Sequence, residues 1–209
     1  ERVDGDVTDP AACARLVEGA DTVFHLAARI SIVGPEGGLV ERVNVGGPRN
    51  MASACLAAGV RRLVHTSSIH AFSTHPNREF MDETRTLALG RDVEAYDRSK
   101  ARGWQEVLEV GRRGLDVVVV NPAGVIGPND FKRSRMGSVL LDLYHRRLPA
   151  LIDGGYNWVD ARDVAAGMIA AERKGRNGEA YLLSGHWAHV AELASLVTKI
   201  TGRPTPRMA

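Results

Sequence analysis

The sequence predicts an α/β fold with a doubly wound parallel sheet, on two observations. Three short runs rich in β-branched residues, "TVFHLA" (22 to 27), "RLVHTS" (62 to 67) and "LDVVVVN" (115 to 121), are separated by longer helix-like segments. That alternation is what parallel strands covered on both faces require. Helix signals also fall between these runs: Asp9 and Pro10 suit an N-cap and first helical position, and Gly19 and Gly59 sit where helices should stop. A long helix is predicted over about 38 to 58, with a bend or break at "GGP" (46 to 48), because Pro48 cannot donate the helical hydrogen bond. The next covers roughly 93 to 113. After Pro122 come a turn-rich "NPAGVIGPND", a helix-like "SRMGSVLLDLYHRR", a short "LPALID" and "YNWVDARDVAAGMIAA". A strand, "GEAYLLSG", then leads to an amphipathic helix, "VAELASLVTKITG".

Composition narrows the function classes. Lys plus Arg is 27 against 25 for Asp plus Glu, so a formal charge of +2 gives no electrostatic reason to expect nucleic acid or an anionic membrane as partner. With 44% hydrophobic and 25% charged residues, the chain reads as an ordinary globular protein. Cys13 and Cys55 lack the paired spacing of a zinc knuckle or redox motif, which points to a reducing, cytoplasmic setting and no metal. No run approaches the roughly 18 apolar residues of a membrane span.

The stretch "YDRSK" places the Tyr96 phenol and the Lys100 ammonium one helical turn apart, on one face. Carbonyl reduction with a nicotinamide needs a proton donor near the carbonyl oxygen, a second donor to hold that oxygen, and a cation that eases formation of the phenolate. Lys100 is expected to lower the Tyr96 pKa from its usual value of about 10. Ser67 and Ser68 supply hydroxyls at the carboxyl end of a strand, where open parallel sheets place ligands, although such hydroxyls also serve local backbone groups. No two glycines are separated by a single residue, so no glycine-rich phosphate loop is present.

Seven segments, "GDVTD", "VFHLAA", "NVGG", "HTSS", "YDRSK", "NPAGVIGP" and "WVDARDVA", occur in an order and spacing that resemble the extended short-chain dehydrogenase/reductases. This is the NAD-dependent epimerase/dehydratase family, and the nearest likeness is to its dihydroflavonol-reductase-like branch. The resemblance covers practically the whole chain and implies a Rossmann-like sheet, incomplete, with part of a small C-terminal substrate domain. Residues 1–128 would form a partial dinucleotide-binding domain, and 129–209 a mixed region of substrate-domain segments and return elements of the sheet. The resemblance also implies that the family's first strand, its G-x-G-x-x-G turn and its second strand lie before Glu1, with further substrate-domain elements after Ala209.

Carried over residue by residue, the resemblance implies that Tyr96 is the general acid/base, that Lys100 tunes it and binds the nicotinamide ribose, and that Ser68 binds the substrate oxygen. Asp6 and Val7 match positions that touch adenine, and Leu26, Ala27 and Ala28 match the strand end beside the cofactor. Pro122, Ala123, Gly124 and Val125 match the loop against the nicotinamide. Asn44 matches a helix asparagine in water or cofactor contact. Phe72 stands where many relatives carry a second Tyr. The expected cofactor is NAD or NADP, and the expected substrate a small carbonyl compound or a sugar. A homodimer through the two long helices is also implied.

His70 lines the substrate pocket or is a packed histidine, and Phe131, Arg135 and Trp158 are substrate-domain wall, core or surface. "HWAH" (186 to 189) reads as a cap or surface segment, and Asp163 as a cap or anchor for the helix after "WVDAR". A nucleotide-sugar epimerase or dehydratase and a non-catalytic binding module remain the alternatives to a reductase.

Overall fold

The computed structural model describes residues 2–77, 79–204 and 206. In chain order its elements are α1 (Pro10–Val17), β1 (Thr22–His25), α2 (Leu39–Glu41), α3 (Gly47–Ala58), β2 (Arg62–Thr66), α4 (Ala95–Gly111), β3 (Asp116–Pro122) and β4 (Gly124–Ile126). There follow α5 (Arg135–Tyr144), β5 (Gly155–Asp160), α6 (Ala161–Lys174), β6 (Ala180–Leu183), β7 (His186–His189) and α7 (Val190–Thr201). Two compact units result: Glu1–Asn121 with Gly167–Leu182, and Pro122–Ala166 with Leu183–Ala209. Among the described residues no helix is long and apolar enough to cross a membrane.

The first unit holds a four-stranded sheet in the order β1-β2-β3-β6, in which β1, β2 and β3 run parallel. Its register sets His25 opposite His65, and His65 opposite Val119. Alternation along the strands sends Leu63, Val117 and Val119 to one face, where they pack with Met51, Cys55, Ala101, Trp104 and Val107 of α3 and α4. The opposite face meets the end of α6, where the Thr66 hydroxyl lies 4.0 Å from the Met168 sulfur. Both faces are thus covered, as parallel strands this apolar require.

Local chemistry explains the helix ends. The Asp9 carboxylate accepts a hydrogen bond from the Ala11 backbone N–H at 2.9 Å, and Pro10 occupies the first turn, where a missing donor costs nothing. Gly59 closes α3 in the left-handed conformation, with φ 70°. At "GGP" the helix does not break: α2 runs through a π-helical turn at Arg42–Gly46 and on into α3. The Gly47 N–H donates to the Arg42 carbonyl five residues back, so the hydrogen-bond register has already widened where Pro48 enters without a donor.

That π turn lies against α4 at Gly103. A Cβ built on Gly103 would stand 2.1 Å from the Asn44 carbonyl oxygen, which is backbone and cannot swing aside. Gly103→Ala is therefore expected to destabilise the fold by about 1–3 kcal/mol through overpacking. The check is a urea unfolding midpoint, and an unchanged midpoint would refute the close approach.

The second unit carries a three-stranded sheet in the order β4-β5-β7, parallel between β4 and β5 and antiparallel between β5 and β7. The sequence reading named none of these three strands, and two of them read as something else. "NPAGVIGPND" reads as turns, yet Gly124–Ile126 is β4; "HWAH" reads as a cap or surface segment, yet it is β7, with Ala188 buried and its neighbours exposed. Leu143 of α5, Leu151, Val190 and Ala194 form a small separate core. The anchoring part expected of Asp163 is played by Asp160, whose carboxylate accepts from the Arg162 N–H at 2.7 Å and pairs with the Arg162 guanidinium.

Candidate functional site

The end of β2 and the start of α4 bring three of the predicted residues together in the first unit. Ser68 leaves β2 in an extended conformation and caps the short 3-10 turn Ile69–Ala71, its hydroxyl accepting from the His70 N–H at 3.2 Å. The Tyr96 phenol, on the first turn of α4, lies near the same hydroxyl, whose interaction with it lowers the Tyr96 pKa. One turn along, Lys100 is 4% exposed and its Nζ donates to the Thr66 carbonyl at 2.9 Å. Ser68, Tyr96 and Lys100 thus share one locale, built where a parallel strand ends and the next helix begins.

The electrostatics differ from the expectation of a lysine that lowers the tyrosine. Burial pushes the Tyr96 pKa up, the Ser68 hydroxyl opposes this, and the Asp97 carboxylate adds to the rise. Lys100 is itself lowered to about 8 by burial, and its ammonium is turned to the Thr66 carbonyl. Removing each group from water disfavours its charged form, and that is the main cause of both shifts.

Behind Lys100, the rings of His25 and His65 stack at 5.4 Å with an interplanar angle of 24°. Burial, with the Lys100 charge as second cause, lowers His25 to about 4 and holds His65 well below the usual histidine range. Both are therefore neutral at pH 7. His25 Nε2, His65 Nδ1 and both amide atoms of Asn121 are buried without a hydrogen-bond partner.

Asn44 braces this locale. Its Oδ1 accepts from the Arg29 N–H at 2.7 Å, and its Nδ2 donates to the Arg29 carbonyl and to the Ser99 hydroxyl, each at 2.9 Å. Ser99 in turn donates to the Tyr96 carbonyl at 2.6 Å. The chain after β1 is thereby tied to the helix that carries Tyr96. Ser99 and Asp97 escaped the sequence reading although both lie inside "YDRSK", since only the four-residue spacing of Tyr96 and Lys100 was used there.

The other candidates fall in various places. Asp6 is exposed and accepts from the Thr8 N–H and hydroxyl, each at 2.8 Å, while the Val7 carbonyl accepts from the Asn50 amide at 3.0 Å. Leu26, Ala27 and Ala28 are exposed beyond the end of β1. His70 is not packed away: its ring is half exposed, with Nδ1 3.0 Å from the Asp97 carboxylate. Phe72 is buried edge-on against Trp104 in the core, so it stands away from the surface of the site.

In the second unit, Pro122 is buried, the Ala123 N–H donates to the Leu183 carbonyl at 3.1 Å, and Gly124 and Val125 belong to β4. Phe131 is 90% exposed, and Arg135 is exposed at the start of α5. Trp158 is core, its indole N–H donating to the Ala188 carbonyl at 3.2 Å. Among the described residues no group of three or more His, Cys, Asp or Glu could hold a metal ion.

Comparisons with known proteins bear on this geometry. The model of the NAD dependent epimerase/dehydratase family matches residues 1–184. Sterol demethylase protein B from Methylococcus capsulatus is 36% identical over 209 residues, which is 100% of this chain and 63% of that protein. A Synechocystis protein provisionally named dihydroflavonol 4-reductase is 33% identical over 195 residues, 91% of this chain and 57% of its own length. The crystal structure of gox2253 superimposes with a TM-score of 0.88 at 33% identity, covering 99% of this chain and 63% of that one. The chain thus spans 57–63% of the length of these relatives.

Proposed function

The chain belongs to the NAD-dependent epimerase/dehydratase family, and from that membership we propose that it carries the proton-transfer centre of an NAD(P)-dependent reductase of a ketone or aldehyde. The observation that carries this reading is the approach of the Ser68 hydroxyl to the Tyr96 phenol, close enough to lower its pKa, with the Lys100 ammonium one turn away on α4. When bound, the nicotinamide supplies a hydride to the carbonyl carbon. Tyr96 Oη supplies the proton to the carbonyl oxygen, and Ser68 Oγ holds that oxygen in place. Lys100, buried on the Thr66 carbonyl, offers its remaining N–H bonds to the ribose hydroxyls.

The residues fit such a group. Lys100 has three donors and one recorded acceptor, and exposed Leu26, Ala27 and Ala28 leave an open strand end beside it for an apolar ring face. Asp6 and Val7 are proposed for adenine, Pro122, Ala123, Gly124 and Val125 for the nicotinamide, and His70, Phe131 and Arg135 for substrate. Residues 1–128 act in this reading as the dinucleotide-binding portion, with 129–209 contributing substrate-domain segments. A homodimer through the long helices and a reducing cytoplasmic setting, in keeping with buried, unpaired Cys13 and Cys55, belong to the same proposal.

A reductase is favoured over a nucleotide-sugar epimerase because the relative named for dihydroflavonol reduction shares a third of its residues over 91% of the chain. An epimerase must also oxidise, turn and re-reduce one substrate, and so needs a diphosphate anchor. The discriminating experiment supplies the intact protein with NADH or NADPH and either aryl and alkyl ketones or nucleotide sugars, following nicotinamide absorbance and sugar isomers. Turnover with ketones alone is expected; conversion of nucleotide sugars alone would replace the reductase reading with the epimerase one.

A further inference from the structure

Beside the Ser68–Tyr96 contact lies a pair of side chains, Asp97 and the proposed substrate-lining His70, to which the proton transfer itself assigns no role. The Asp97 carboxylate, 20% exposed, is 3.0 Å from His70 Nδ1, and the His70 ring meets the Tyr96 ring edge-on, with centroids 5.7 Å apart. His70 belongs to the 3-10 turn that Ser68 caps, and its own N–H donates to the Ser68 hydroxyl. One residue therefore holds Ser68 through its backbone and α4 through its ring.

We propose that Asp97 and His70 are positioning residues for the Tyr96 phenol, a pin that fixes the turn carrying Ser68 against the helix carrying Tyr96. This rests on the reading of Tyr96 as proton donor. Without the pin, the turn stays joined to α4 through Phe72 against Trp104 in the core, and near the phenol through the Ser68 hydroxyl alone, a neutral contact with a net worth of about 1 kcal/mol. With it, a carboxylate-to-imidazole contact, stronger when charge-assisted, fixes the distance over which a proton must pass.

A second consequence separates this role from simple packing. Burial is the main cause that raises the Tyr96 pKa, and the Asp97 charge adds to it, so both disfavour the phenolate. The charged or titratable groups around the phenol are Asp97 and Lys100 on α4 and His70 on the 3-10 turn; the end of β2 contributes only Thr66, Ser67 and Ser68, which carry no charge. Lys100 is turned to the Thr66 carbonyl, so Asp97 is the charge that Asn substitution removes without disturbing the lysine.

The test uses the phenolate absorbance of this chain minus that of its Tyr96→Phe variant, which isolates one tyrosine of the four in the sequence and needs no turnover. Asp97→Asn is expected to move the Tyr96 titration to lower pH, and Asp97→Glu, which keeps the charge, to leave it near wild type. In the intact protein His70→Ala should lower kcat with cofactor affinity intact, and His70→Gln, whose amide can still donate to Asp97, should restore most of it. A folded Asp97→Asn chain with an unmoved titration, or His70→Ala with wild-type kcat, would overturn the proposal. Loss of the reductase reading would show separately, as Tyr96→Phe with undiminished turnover.

Discussion

Tyr96→Phe in the intact protein is expected to lower ketone turnover by roughly 10²–10⁴-fold, the usual contribution of a positioned general acid, while nicotinamide binding stays nearly unchanged. The substitution removes one oxygen and keeps the ring, so the edge-on contact with His70 and the course of α4 persist. Ser68 loses its neighbouring phenol oxygen yet keeps the bond from the His70 N–H, which limits the disturbance to the reacting oxygen itself. Lys100 remains on the Thr66 carbonyl, where the proposed ribose contact is made. Equal falls in kcat and kcat/KM with an unaltered cofactor titration would mark an interaction made in the transition state alone. Undiminished turnover would instead hand the proton to another group and remove Tyr96 from the mechanism.

The parallel sheet was legible because its residues obey one rule at a time. The run Val117–Val120 is buried whichever face each side chain takes, and Asp9, Pro10 and Gly59 act through local backbone geometry. The π turn at Arg42–Gly46 was not legible, since it depends on the close approach of Gly103 to the Asn44 carbonyl, a contact 59 positions away in the chain. Strands β4 and β7 were hidden for a related reason: three or four residues carry no period, and each is a strand only because β5 lies between them. At the site, the spacing of Tyr96 and Lys100 and the hydroxyls of "TSS" named residues that the fold brings into one locale. The direction in which Tyr96 is shifted did not follow, because spacing reports a neighbouring charge but says nothing of desolvation. Nor did spacing join His70 to Asp97, 27 positions apart.

Lys100→Met is expected to stabilise the fold at pH 7 while abolishing turnover. Burial lowers the Lys100 pKa from 10.5 in the unfolded chain to about 8 in the folded one, so the unfolded chain binds more protons across that window. Below pH 8 both states carry the charge and the whole penalty of burying it is present; as pH rises from 8 to 10.5 the penalty is progressively relieved. At 1.36 kcal/mol for each pKa unit the penalty is roughly 3 kcal/mol, and the lost bond to the Thr66 carbonyl takes back about 1. Methionine fills nearly the same volume without a charge, which leaves a net gain of about 2 kcal/mol at pH 7. The same change relieves His25 and His65 of the Lys100 charge, so both should protonate more readily than in the wild type. Urea midpoints at pH 7, 8.5 and 10 should show the variant's advantage shrinking toward alkaline pH. A variant less stable than the wild type at pH 7, or a difference that does not change with pH, would mean that the protein relieves the lysine charge through partners other than the Thr66 carbonyl. The expected result carries a physical reading of the site: a cation is kept dry beside two neutral imidazoles, at a cost in stability that a purely structural residue would not impose, and relief of that cost by methionine would tie the charge to function.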